Sequence, residues 1–165
     1  MFLRVFRFLT VTLVALGLSL GVAHTLELPV KMTYDGALYM AVTSTLYRLY
    51  GSVGAIFQMG ALLAVAVLCW FVRGRRGFRW TVAALIALMV SLGLWAALVQ
   101  PVNVQWGHVL QSDPSAAPAA YLRLRARWEY GHVAACVAWL GGFACILLSL
   151  LVEIPADGPG APAVS

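Results

Sequence analysis

The chain predicts an all-α fold, an integral membrane four-helix bundle, on three observations. It is 62% hydrophobic and only 10% charged over 165 residues, where soluble domains carry about 25% charged residues. Its mean hydropathy is +0.89. Four apolar runs, at residues 8–24, 51–72, 80–100 and 131–152, approach the length that a helix needs to cross the hydrocarbon core. None alternates as a barrel strand would, and a helix satisfies its own backbone in lipid. Residues 1–154 are read as a single four-span domain and 155–165, rich in proline and glycine, as a disordered tail.

The first run follows Arg4 and Arg7 and carries Gly17-x-x-x-Gly21, a spacing that permits close helix packing. A rival reading takes the basic start and Gly21-Val22-Ala23 as a secretory signal cleaved after Ala23. The segment from Leu26 to Tyr50 holds Pro29, Gly36 and the tyrosines Tyr34, Tyr39, Tyr47 and Tyr50. It is expected to lie as an amphipathic stretch on the outer surface. The second span contains Gln58, and Arg73, Arg75, Arg76 and Arg79 fill the turn after it. Pro101 is expected to stop the third helix, leaving Gln100 and Asn103 as amides at its outer end. The stretch to Tyr121 then reads as a polar loop with a solvated His108, feeding the fourth span.

Charge supplies the orientation. Six arginines lie before the first span and in the turn between the second and third. The opposite side has five basic residues, offset by Glu27, Asp35, Asp113 and Glu129. Both termini are therefore expected in the cytoplasm, with the chain a multi-pass protein of the cell (inner) membrane. The net charge of +5 is scattered over span ends, which suits contact with membrane lipids and excludes a nucleic-acid stripe. Cys69, Cys136 and Cys145 fall within apolar runs without a CxxC, so a thiol-redox enzyme is disfavoured. The middles of the spans carry no charge, which disfavours transport.

The residues that carry chemistry gather at the outer ends of the first and fourth spans. His24 and Glu27 are three apart, as are Glu129 and His132, so each pair shares a helical face. The first helix runs outward and the fourth inward, which places both histidines deeper than both glutamates. If the two helices are neighbours, His24, Glu27, Glu129 and His132 form a metal-ligand set for iron or copper. A haem on His24 and His132 is the lesser cofactor reading, and cofactor-free base chemistry stays open. The plain alternative is a polar network, Glu129 with an arginine and Glu27 with Lys31, with Trp128 as an aromatic-belt anchor and the arginines on lipid headgroups.

Ala23-His24-Thr25-Leu26-Glu27-Leu28-Pro29-Val30-Lys31, Pro101-Val102-Asn103 and Arg125-Ala126-Arg127-Trp128-Glu129-Tyr130-Gly131-His132 together resemble the anthrone oxygenase-like family of small four-helix membrane proteins. The resemblance covers about residues 10–150. It implies an enzyme that inserts oxygen into an activated ring carbon, with candidate site residues His24, Glu27, Asn103, Arg127, Trp128, Glu129 and His132. Members carry a basic residue soon after the last motif's histidine, and Ala135 stands there in this chain.

The expected function is a membrane-embedded oxidoreductase or oxygenase. Its substrate is a small hydrophobic, aromatic or quinone-like molecule held in an outward-facing pocket between the first and fourth helices. His24 or His132 is the general base, and Arg127 or Asn103 stabilises an enolate oxygen. The alternative is a non-catalytic membrane subunit or lipid-binding module whose polar cluster only fixes helix packing.

Overall fold

A computed structural model describes residues 1–154, so the tail expected at 155–165 lies outside the described residues. Among the described residues the chain is helical throughout, with no strand. In order these are α1 (Phe2–Lys31), α2 (Gly36–Thr45), α3 (Arg48–Phe71), α4 (Phe78–Leu94), a π-helical turn (Trp95–Val99), α5 (Gln100–Ser112), a 3-10 turn (Pro114–Ala116) and α6 (Ala117–Leu151). Since α4, the π turn and α5 are continuous, four helices are long and apolar enough to cross a bilayer. The molecule is a helical membrane bundle.

The four long helices close into a ring in which α1 packs on α3, α3 on α4, α4 on α6, and α6 on α1. α2 and α5 both lie against α6. Gly74, at φ +79°, lets the chain reverse between α3 and α4 in a conformation that a side chain disfavours. Arg7 reaches Glu153 at 2.6 Å, and Arg75 lies 3.9 Å from the same carboxylate. The start of α1, the α3–α4 turn and the end of α6 therefore share one end of the bundle, the arginine end.

Toward that end the ring is sealed. Val14, Val65, Leu68, Ala84, Leu88 and Ile146 are fully buried against one another. Hydrogen bonds clamp the helices here, with Trp139 Nε1 donating to the Val14 carbonyl at 2.9 Å and the Thr81 and Ser149 hydroxyls 2.7 Å apart. The Gly17-x-x-x-Gly21 spacing is used. A Cβ on Gly17 would stand 2.7 Å from the Trp139 ring, and one on Gly21 would stand 3.1 Å from Cys136. Ile56, Leu63, Trp70 and Val137 face outward, where lipid would meet them.

Three sequence expectations are corrected. The third helix does not stop at Pro101, nor is residue 101–121 a loop, because helix continues to Ser112. A proline removes the donor for the carbonyl four residues earlier and crowds it. Here the π turn widens the winding just before Pro101, and the orphaned Ala97 carbonyl accepts from Arg127 of α6 at 3.0 Å. His108 is exposed as expected, but on α5. The tyrosine-rich segment is not a surface strip: α1 runs on to Lys31, and Tyr39 and Tyr47 are buried.

Candidate functional site

At the end opposite the arginines the helices part around a cavity of about 630 Å³, within the usual range for small-ligand pockets. α1, α3, the start of α5 and α6 contribute most of its wall. Rings dominate the lining. Trp95, Trp106, Trp128 and Trp139 all border it, with Tyr47 and Tyr50.

His24 is the centre of this aromatic cluster. Its ring is stacked between His132 (centroids 4.4 Å, 27°) and Tyr47 (4.5 Å, 29°). The edges of Tyr50 and Trp128 close on it at 5.3 and 5.2 Å. Only 5% of His24 is exposed. Its Nδ1 is buried and has no hydrogen-bond partner among the described residues. His132 Nδ1 donates to the Trp128 carbonyl at 3.0 Å, one turn earlier on α6, so in the neutral ring Nε2 carries the lone pair. Asn103 lies on the cavity wall, where its Oδ1 accepts from Trp128 Nε1 at 2.8 Å.

The acids face elsewhere. Glu129 is 1% exposed; Oε2 lies 2.8 Å from Lys31 Nζ and Oε1 accepts from the Tyr39 hydroxyl at 2.9 Å. Glu27 pairs with the same ammonium at 3.8 Å and accepts from the Tyr47 hydroxyl. Lys31 is itself only 2% exposed, with its ammonium over the Tyr47 ring at 4.8 Å. Arg125 completes the network by donating to the Lys31 and Tyr34 carbonyls at the end of α1 (3.3 and 2.8 Å), where a helix welcomes cations. Burial, followed by the charge of Glu129, pushes the Tyr39 phenol upward, so it stays a neutral donor.

The sequence-predicted site thus divides. His24, Asn103, Trp128 and His132 border the cavity, whereas Glu27, Glu129 and Arg127 do not. Two cofactor readings do not fit the geometry. Among the described residues no three His, Cys, Asp or Glu side chains are grouped to hold a metal. A lysine ammonium lies between the two carboxylates, and one cation there excludes another. A haem on His24 and His132 needs the imidazoles on opposite faces of a macrocycle, but these rings stack directly on one another. Glu129 binds a lysine instead of the expected arginine, and Trp128 is a buried cavity wall instead of a belt anchor. Arg127 is exposed and committed to Ala97.

Sequence reasoning missed Tyr39 and the central place of Lys31. A signal existed: Tyr39, Thr43 and Tyr47 recur at spacings of four, one face of a helix. Comparison with family models, with curated proteins and with solved structures finds no match to this chain.

Proposed function

We propose that the cavity is the active site of a membrane-embedded oxygenase-like oxidoreductase acting on a small hydrophobic aromatic or quinone-like molecule. The observation that carries the reading is His24 Nδ1, a buried nitrogen with no hydrogen-bond partner among the described residues, in the aromatic wall of a ligand-sized cavity. A buried polar atom left unpaired is costly, so it suits a partner that arrives with the ligand. The flat walls favour a flat guest through offset and edge contacts.

His24 removes a proton from an acidic ring carbon; the carbanion gives an electron to dioxygen and bonds to it, and the resulting peroxide takes the proton back and loses water to leave a ring carbonyl. His132 supports it from the stacked position with its own free nitrogen. The Asn103 amide nitrogen, bonded to Gln100 at 3.4 Å, donates to the developing enolate oxygen. Arg127 has no part in this step. The resemblance to the anthrone oxygenase-like family rests on motifs that include the same His24, Asn103 and His132. Glu129, Lys31 and Tyr39 favour the packing role of the alternative reading and are assigned to it here: they hold α1, α2 and α6 around the site.

The chain is placed in the cell membrane with the arginine end cytoplasmic, on the excess of arginine there. The cavity then opens on the outer side.

The test is oxygen uptake by the detergent-purified protein over a panel of hydroxylated naphthalenes and anthracenes. Wild-type turnover that falls by about a hundredfold or more in His24→Ala/His132→Ala is expected from loss of a general base. Turnover retained in that variant refutes the base assignment. A reporter fused after α6 that is active only in the periplasm would reverse the orientation.

A further inference from the structure

The deep end of the cavity holds a second polar group. Gln58 lies near the middle of α3, a helix of 24 residues, between Ile56, Met59 and Leu62. It borders the cavity. Among the described residues its amide makes no side-chain hydrogen bond, whereas two other polar groups on the cavity wall below the histidines are already committed. Trp139 Nε1 donates to the Val14 carbonyl, and Ser91 Oγ donates to the Ala135 carbonyl at 2.7 Å. An amide at hydrocarbon depth is costly, and such residues mark sites.

Register gives its distance from the histidines. On α3, Gly54 faces Leu20 and Gly60 faces Leu13, which puts Gln58 between the levels of Ala15 and Leu16. Trp139 stands over Gly17, just nearer the histidines than that level. Gly17 precedes His24 by seven residues, and Trp139 follows His132 by seven. Both counts give a rise of about 10 Å from the histidine pair to Trp139, and the eight to nine residues from His24 to the Gln58 level give about 13 Å. The walls between are apolar or aromatic.

We propose that Gln58 is the second polar anchor of this cavity, and that its ligand is an elongated ring compound with an oxygen at each end. One oxygen is held at the His24–His132 pair and the other at the Gln58 amide. The amide donates to a carbonyl and accepts from a hydroxyl, so the anchor holds the ring in its oxidised or its reduced form. This specificity rests on the reading of the cavity as a ligand site.

The test measures binding of 2,6-dihydroxynaphthalene, 2-naphthol and naphthalene to the full chain by equilibrium dialysis against protein-free micelles. The wild type is expected to hold the dihydroxy compound about tenfold more tightly than 2-naphthol, the worth of one well-made polar contact. Gln58→Leu, which adds an apolar residue to a spanning helix, brings those two affinities level. An unchanged preference in Gln58→Leu, with binding still lost in His24→Ala, overturns the Gln58 anchor and leaves the cavity reading intact. Binding of no probe, or binding indifferent to both variants, overturns the cavity reading and the anchor with it.

Discussion

In the half of the bundle nearest the arginine turn, Val14, Leu68, Leu88 and Ile146 leave no exposed surface. In the other half the same four helices part around a cavity, and the side chains between them are rings with polar handles. Bulk explains part of the difference. Small and branched residues let helices approach, as Gly142 does against Leu88, whereas indole and phenol rings hold them apart. Lipid explains the rest. Between apolar helices in a bilayer the drive to associate is packing and hydrogen bonding, so a half filled with rings and charges needs its own fasteners. The Lys31 network supplies them. The lesson is that one half sets the position of the helices and the other spends that rigidity on an open site.

The contrast is broken most directly at Lys31. Lys31→Met leaves Glu129 buried without its cation, which is expected to cost about 3–5 kcal/mol. Lys31→Met with Glu129→Leu recovers most of that loss. Unfolding in mixed micelles measures both, and additive losses would show that the two residues are not coupled. Truncation of apolar side chains sharpens the contrast next. Leu88→Ala opens a void in the sealed half at a cost of about 2–3 kcal/mol, because the cavity part of the penalty survives in lipid. Met59→Ala, at the edge of the existing cavity and 44% exposed, is expected to cost under about 1 kcal/mol. Equal losses would mean that the open half is packed as tightly as the other.

The smallest effect belongs to Asp113, fully exposed at the head of the 3-10 turn. The Ser115 hydroxyl, then the Ala116 N–H, hold its carboxyl below the ordinary range. A lowered value means that stabilisation is present above the ordinary carboxylate range and lost as pH falls through the lowered one. Asp113→Ala should therefore lower the thermal midpoint slightly at neutral pH, and the difference should vanish once the pH has fallen below that lowered range. A difference that persists in acid would assign the effect to helix geometry instead of charge.

The number of long helices was legible because apolar length is a local property. So was the depth match of His24 with His132, which needs only helical spacing and opposite chain direction. What escaped was set by partners far along the chain. Pro101 reads as a stop by every local rule, and Arg127, which takes the Ala97 carbonyl, is 30 residues from it. Glu129 meets Tyr39 across 90 residues, so its face could be read but not its occupants. The metal set failed for the same reason. Four ligand-type residues at one depth say nothing about a lysine between them.

The continuous α6 has a further consequence. Its 35 residues make a rod about 52 Å long, against a hydrocarbon slab of about 30 Å. Roughly two-fifths of that rod must therefore stand clear of the oily layer. With Glu153 tied to Arg7 at the arginine end, most of the surplus emerges at the other, carrying Tyr121 and Arg125 above the slab. The aromatic chamber then straddles the boundary between oil and water. For the ligand proposed above, entry would then run from the leaflet beside the chamber with the polar edge kept wet, without ever crossing open solvent.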